Sequence, residues 1–174
     1  MAIGTDAMTN LSDYRSQRQT LKQSWQNYLI HLPEIIGGPY EYVGHFTYRD
    51  AEEIPPRHAE DVVRKRFAYF VGEVNKVVYG KRWMRKGMGI WGAMAIEKHL
   101  SGYPHHHAII GGDGLRQGIK RVEMMNIWDE HFGIARVWDY RGEAAAKYLC
   151  KYVTKGGVVD VWASAQARTR LKPY

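Results

Sequence analysis

Two histidines, His105 and His107, are separated by one residue and stand directly before the apolar run 108–110. Side chains alternate between the two faces of a β-strand, so a strand here would place His105 and His107 on one face and His106 on the other. Imidazole is the commonest protein ligand for metals near neutral pH, and two on one face can share a divalent ion. An isolated pair of this kind is as often a chance surface pair, but the apolar run indicates a strand that enters the core. The pattern therefore predicts a metal site, with His106 in a structural role.

A carboxylate that could complete this site is Glu97, which lies eight residues before His105 across a short turn. Residues that flank the turn between antiparallel strands face each other, which would place the carboxylate beside the imidazoles. His99 has the same strand parity and is the alternative third ligand. Two imidazoles and one carboxylate would leave positions open for phosphate oxygens and water. Such mixed ligation accepts Mn²⁺ or Mg²⁺, and also Zn²⁺ in vitro.

A second candidate for chemistry lies near the C-terminus, where tyrosines and lysines recur at helical spacing. Positions i, i+3, i+4 and i+7 share one helix face, and here they hold Tyr148, Lys151, Tyr152 and Lys155. A phenol, with a pKa of about 10, is a weak nucleophile until a metal-bound phosphate and nearby cations favour the phenolate. The lysines would position the phosphate or stabilise developing charge. The same spacing is also typical of an ordinary amphipathic helix whose tyrosines face the core and whose lysines reach solvent.

A sheet and several helices are needed to position these side chains, and the apolar patterns predict both. Strands are expected at 40–48, 89–98, 105–110 and 133–140, and helices at about 10–31, 57–78, 115–131 and 143–155. After the first helix this is the ferredoxin-like split β-α-β order, an α+β fold with an antiparallel sheet that has helices on one face. The N-terminal helix and the tyrosine-bearing helix are additions to it. We expect one domain at 10–157, a flexible lead at 1–9, and an extension at 158–174 that begins as a short apolar strand or helix.

Composition narrows the possible partners. The 174 residues are 45% hydrophobic and 25% charged, as in a soluble globular protein. No apolar run approaches the ~18 residues of a membrane span, and no secretory signal is expected at residues 1–10. The single Cys150 excludes an internal disulfide and fits the reducing cytoplasm. The net charge of +7 favours an anionic partner, nucleic acid before a membrane surface.

The densest basic cluster has a tryptophan within it, at residues 81–86. Lys81, Arg82, Trp83, Arg85 and Lys86 suit contact with phosphates and stacking on unpaired bases, so we expect DNA binding there. A merely solvated loop is equally compatible with this composition.

Three stretches, in this order, resemble the motifs of the HUH endonucleases, which include rolling-circle replication initiators, relaxases and certain transposases. Residues 44–48, Gly-His-Phe-Thr-Tyr, are similar to the loosely defined first motif. Residues 105–107 are similar to the His-hydrophobe-His motif, with a histidine where the middle residue is usually apolar. Residues 148–155 are similar to the tyrosine motif in the form of the two-tyrosine phage initiators. The resemblance spans about residues 40–157.

The resemblance implies a metal-dependent nickase and strand transferase that acts on single-stranded DNA at a plasmid or phage replication origin, often beside a hairpin. The metal held by His105, His107 and Glu97 would polarise the scissile phosphate. A tyrosine would attack it and leave a 5′-phosphotyrosine and a free 3′-hydroxyl. Tyr148 is expected to act first, with Tyr152 as a possible second nucleophile.

Unwinding would need a host helicase or another part of a longer protein, because the sequence has no glycine-rich phosphate loop. Two other functions remain open. One is a ferredoxin-like module that binds nucleic acid without catalysis. The other is a metal-dependent hydrolase that uses the same ligands, with the tyrosines only structural.

Overall fold

A five-stranded antiparallel sheet with helices on both faces forms the protein. A computed structural model describes residues 6–98, 103–152 and 157–169, with side chains from residue 16 onward except that of Lys98. The strands are β1 (Tyr40–Phe46), β2 (Trp91–Lys98), β3 (Pro104–Gly111), β4 (Ala135–Asp139) and β5 (Val158–Trp162). The helices are α1 (Asp6–Ile36), α2 (Ala59–Tyr79), α3 (Leu115–Gly118), α4 (Arg121–His131), α5 (Ala144–Cys150) and α6 (Ala165–Arg168). The predicted α+β class is confirmed.

The strand order in the sheet is β4-β1-β3-β2-β5. The first four strands have the ferredoxin-like order that the sequence predicts, in which β1 lies between β4 and β3. The segment after residue 157, which the sequence left open between strand and helix, begins as β5. This strand pairs antiparallel with β2, from Gly92 opposite Trp162 to Ile96 opposite Val158.

The pairing register decides which side chains share a face of the sheet. His45 on β1 is opposite His107 on β3, and Glu97 on β2 is opposite His105. Directly opposed residues on antiparallel strands point to the same side, and residues two apart on one strand do so as well. All four side chains therefore lie on one face, whereas His106 projects from the other.

Each face of the sheet has its own apolar core. On the His106 face, residues such as Phe70 of α2 and Trp128 of α4 are fully buried against the strands. On the opposite face, Leu29 of α1, Leu149 of α5 and Ile109 of β3 form the second core. Helices α1 and α5 therefore cover the face that carries His45, Glu97, His105 and His107, so these two additions lie on the opposite face of the sheet from α2 and α4.

The helix limits differ from the predicted ones at several ends. Helix α1 begins earlier and ends later than residues 10–31. The predicted helix 115–131 is broken because Ile119 and Lys120 are extended, and the Lys120 N–H donates to Glu123 Oε2 at 2.7 Å to start α4. Helix α5 ends at Cys150, where the Lys151 and Tyr152 N–H groups bond to carbonyls three residues back and tighten the last turn. No described helix has the length and apolar character needed to cross a membrane.

Candidate active site

Three histidines and one glutamate converge on the sheet face beneath α5. One ligand atom from each of His45, His105 and His107 lies within 4.8 Å of the others. Glu97 Oε2 is 3.0 Å from His105 Nε2, which donates a hydrogen bond to it, and 3.8 Å from His107 Nε2. The three imidazole nitrogens at these separations are a donor set that one divalent cation could share, and the Glu97 carboxylate lies beside two of them.

His45 is the member of this cluster that sequence reasoning did not assign as a ligand. It lies far from His105 in the chain, within the loosely defined motif at 44–48, and no spacing links the two. The antiparallel register brings its ring onto that of His107, with centroids 4.5 Å apart and planes 11° from parallel. His45 could have been predicted from two facts together: the ferredoxin-like strand order places β1 beside β3, and strand parity allows the His45 side chain to lie on the same face as His105 and His107. His99, the alternative third ligand, lies outside the described residues.

The electrostatics of the cluster favour neutral imidazoles at His45 and His107. Burial, reinforced by the neighbouring histidines and Lys151, lowers the pKa of His107 to about 3. Burial, followed by the effect of His105, also lowers the pKa of His45. Among the described residues the buried Nε2 of His45 has no hydrogen-bond partner, a costly state for a polar atom unless something binds it. Neutral imidazoles with available lone pairs are the form that ligates metals, so the residues present fit a divalent ion.

His106 is part of the core on the other face of the sheet. Its ring stacks on Phe46, with centroids 4.8 Å apart, and its Nδ1 is 3.0 Å from the Tyr48 hydroxyl. The Arg66 guanidinium lies 5.4 Å from the centre of the Tyr48 ring and forms a bidentate ion pair with Asp50. Burial keeps the pKa of His106 well below its usual value. The middle histidine therefore has the structural role predicted for it and anchors β3 beneath the cluster.

The two tyrosines form a chain of hydroxyls that ends at the histidine cluster. The Tyr152 hydroxyl is 3.1 Å from His107 Nε2 and 2.7 Å from the Tyr148 hydroxyl. Tyr152 is 1% exposed and Tyr148 is 43% exposed. Burial, together with hydrogen bonds to Tyr148 and Glu97, raises the pKa of Tyr152 far above its usual value. The structure thus separates an inner, protonated hydroxyl from an outer one that solvent and ligands can reach.

Lys151 brings a positive charge to the same place. Its ammonium group lies 5.2 Å from the centre of the Tyr148 ring and 5.8 Å from that of Tyr152. Its charge also contributes to the low pKa of His107. Three of the four predicted catalytic side chains are therefore together beside the cluster, and the fourth, Lys155, lies outside the described residues.

The predicted DNA-binding loop at residues 81–86 lies at the other end of the sheet. It leads into β2 at Trp91, and Glu97 is six residues further along that strand, about 20 Å away at the usual rise of a strand. Its four basic side chains are exposed, whereas Trp83 is partly buried against the core. The loop is therefore not part of the histidine cluster, and its tryptophan contributes to packing.

Comparison with known proteins matches the chain to a family model. The family model described as replication-associated protein ORF2 matches residues 41–157, which is more than half of the chain. This range runs from β1 to the residues after α5 and includes the histidine cluster and both tyrosines. No curated protein and no solved structure matches the sequence. The chain belongs to this replication-associated protein family, a family of Rep-type replication initiators.

Proposed function

We propose that the protein is a metal-dependent endonuclease and strand transferase of the HUH type, which nicks single-stranded DNA at a replication origin. Family membership supports a role in replication initiation. The observation that carries the proposal is the chain of hydroxyls from the exposed Tyr148, through the buried Tyr152, to His107 in the cluster. A nucleophile connected in this way to a candidate metal site fits phosphodiester transesterification.

The proposed metal ligands are His45, His105, His107 and Glu97. The set contains the ligands predicted from sequence and adds His45, whose buried Nε2 points to a bound ion because it is otherwise unsatisfied among the described residues. We propose Mn²⁺ or Mg²⁺, of which Mn²⁺ is the better match to several imidazoles. A bound divalent ion supplies Lewis-acid polarisation of a phosphate oxygen and neutralises its charge.

We propose Tyr148 as the primary nucleophile because it is the exposed member of the pair. Its oxygen forms a bond to phosphorus while the bond from phosphorus to the 3′-oxygen breaks; the phenol loses its proton and the 3′-oxygen gains one. The Tyr152 hydroxyl, 2.7 Å away, donates a hydrogen bond to the Tyr148 hydroxyl and holds it in place. The Lys151 charge stabilises the developing phenolate, and Lys155 is proposed to act with it.

Tyr152 is proposed as a second nucleophile, as the two-tyrosine resemblance implies. Its inner position requires that the phosphotyrosine formed by Tyr148 first moves away from the cluster, since only then does the Tyr152 oxygen face a phosphate. In this second cleavage the Tyr152 oxygen bonds to phosphorus while the bond from phosphorus to a 3′-oxygen breaks, and the phenol proton passes to that 3′-oxygen. The freed 3′-hydroxyl then attacks the phosphotyrosine of Tyr148, which rejoins the DNA and releases Tyr148 as a phenol.

The proposed partner is the single-stranded origin, with a hairpin beside the nicking site. The exposed basic residues of the loop at 81–86 are proposed to contact phosphates of flanking DNA at the far end of the sheet. Unwinding is proposed to come from a host helicase or from another part of a longer protein, because these residues contain no glycine-rich nucleotide loop.

Covalent capture of DNA tests the proposal. The protein is incubated with a pool of single-stranded origin fragments and Mn²⁺, and adducts are resolved on a denaturing gel. We expect an adduct that is lost in EDTA, in His105→Ala and in the double variant Tyr148→Phe/Tyr152→Phe. If the DNA is cleaved but no adduct forms, and if this cleavage persists in the double variant, the hydrolase is favoured. DNA binding without any cleavage would favour the binding module.

A further inference from the structure

The edge strand β4 places two side chains on the same face as the histidine cluster. The register sets Arg136 opposite His45 and Trp138 opposite Val43 on β1, so both point to that face. Helix α5 packs on β3 and β2, further into the sheet. Arg136 is exposed, and 47% of the Trp138 surface is exposed, unusual for so large an apolar side chain.

A groove of about 300 Å³ runs along this edge, between β4 and α4. Its lining consists of two arginines and four apolar or aromatic residues: Arg121, Val122, Met125, Arg136, Val137 and Trp138. The nearby acid, Asp139, faces Arg116 and Arg121 at 3.8 and 3.7 Å, and these two guanidinium groups outweigh its single charge. The groove therefore combines apolar surface with excess positive charge, which complements a polyanion that carries flat apolar groups.

The position of Arg136 connects this groove to the proposed active site. Neighbouring strands are about 4.8 Å apart, so the backbone of Arg136 lies about that distance from the backbone of His45. A phosphate bound by Arg136 would therefore be a near neighbour of a phosphate held at the cluster.

We propose that Trp138 and Arg136 form the subsite for a nucleotide that flanks the scissile phosphate of single-stranded DNA. The base stacks on the Trp138 indole, and the adjoining phosphate contacts the Arg136 guanidinium. Aromatic stacking combined with cationic contact is how single strands are held without reading their sequence. The inference rests on the proposed function for the identity of the DNA. It places the nucleotide next to the scissile phosphate over β1 and β4, and leaves the loop at 81–86 to contact DNA further from the cleavage site.

Binding without cleavage tests this subsite separately from the nuclease. A fluorescein-labelled oligothymidylate is titrated by anisotropy in EDTA, in a Tyr148→Phe background that cannot form an adduct through Tyr148. Trp138→Ala should weaken binding by about 5- to 100-fold, the range for loss of one stacked base, and Trp138→Phe should recover most of it. Arg136→Gln should weaken binding and reduce the salt slope by about one charge.

Two matched controls are available on other surfaces. Tyr69→Ala removes an aromatic side chain of similar exposure on α2, and Arg85→Gln removes one charge from the distant basic loop. Tyr69→Ala should leave affinity unchanged, and Arg85→Gln should have a smaller effect than Arg136→Gln. Equal affinity of Trp138→Ala and its parent would overturn the proposal. Adduct formation is measured in a separate assay with Mn²⁺. The binding measurements can therefore be interpreted even if the protein proves not to be a nickase.

Photocross-linking gives a second readout that needs no variant. A single strand that contains 5-iododeoxyuridine is irradiated with the unmodified protein, and the product is digested with trypsin. The expected cross-linked peptide is 137–141, which follows Arg136, ends at Arg141 and contains Trp138. Cross-links confined to the peptides of residues 81–86 would overturn the inference and would leave the β4 edge as a surface for a protein partner that adds a strand.

Discussion

Removal of the two tyrosine hydroxyls, one at a time, should separate the chemistry of the site from its stability. The Tyr152 hydroxyl is buried between His107 Nε2 at 3.1 Å and the Tyr148 hydroxyl at 2.7 Å. Tyr152→Phe keeps the ring but leaves a buried nitrogen without this partner, which should cost about 1–3 kcal/mol. Tyr148 is 43% exposed, so water can replace what its hydroxyl contributes, and Tyr148→Phe should cost no more than about 0.5 kcal/mol.

Thermal unfolding in EDTA and covalent capture of DNA with Mn²⁺ are the two assays. One kcal/mol lowers the Tm of a chain of this size by about 2–4 °C, so Tyr152→Phe should melt about 2–12 °C below the parent. Tyr148→Phe should melt within about 2 °C of the parent. In covalent capture the order reverses: Tyr148→Phe should lose the first adduct, whereas Tyr152→Phe should still form it.

The reasoning would be refuted by an adduct that forms at the parental rate in Tyr148→Phe and vanishes in Tyr152→Phe. Solvent exposure of the side chain would then not identify the nucleophile, and the buried Tyr152 would be the attacking residue. A melting temperature of Tyr152→Phe equal to that of the parent would show that the buried hydroxyl adds nothing to the stability of the folded state. The double variant is the control, which should melt like Tyr152→Phe and form no adduct.

Three further predictions concern pH, metal and charge. The pKa of His107 is about 3 in the folded protein, against about 6.5 unfolded, so acid protonates the unfolded chain first. The contribution of neutral His107 to the free energy of unfolding of the metal-free protein should therefore be fully present above about pH 6.5 and smaller by about 2 kcal/mol at pH 5. A Tm that does not change between pH 7 and pH 5 would contradict this. His45→Ala should weaken Mn²⁺ binding by at least about 10-fold in calorimetry without DNA, and a change below about twofold would exclude His45 as a ligand. Lys151→Met should slow adduct formation by up to about 10²-fold with DNA affinity nearly unchanged, and an unaltered rate would remove Lys151 from the mechanism.

Spacing along the chain was sufficient for features that lie within one element or across one short turn. His105 and His107 share a face because side chains alternate along any strand. Glu97 meets His105 because the two residues are opposed across the β2–β3 pairing, at 3.0 Å between side-chain atoms. The same local geometry explains why Tyr148 and Tyr152, one helical turn apart, contact each other.

Contacts between elements that are distant in sequence could not be read in this way. The spacing rules do not distinguish Tyr148 from Tyr152, and only the packing of α5 between α1 and the sheet made one accessible and the other buried. The composition of residues 81–86 suggests nucleic-acid binding, but composition carries no information on which end of the sheet a loop occupies.

The sequence by itself determined the fold class, the face shared by the two flanking histidines, and the residue types needed for metal-assisted chemistry. These follow from alternation and helical periodicity, which are properties of the backbone at short range. The tertiary structure alone decided that His45 joins the cluster and that Arg136 and Trp138 lie beside it. The physical reason is that strand register depends on the packing of the whole sheet, because a slip of one residue would send every side chain on a strand to the opposite face.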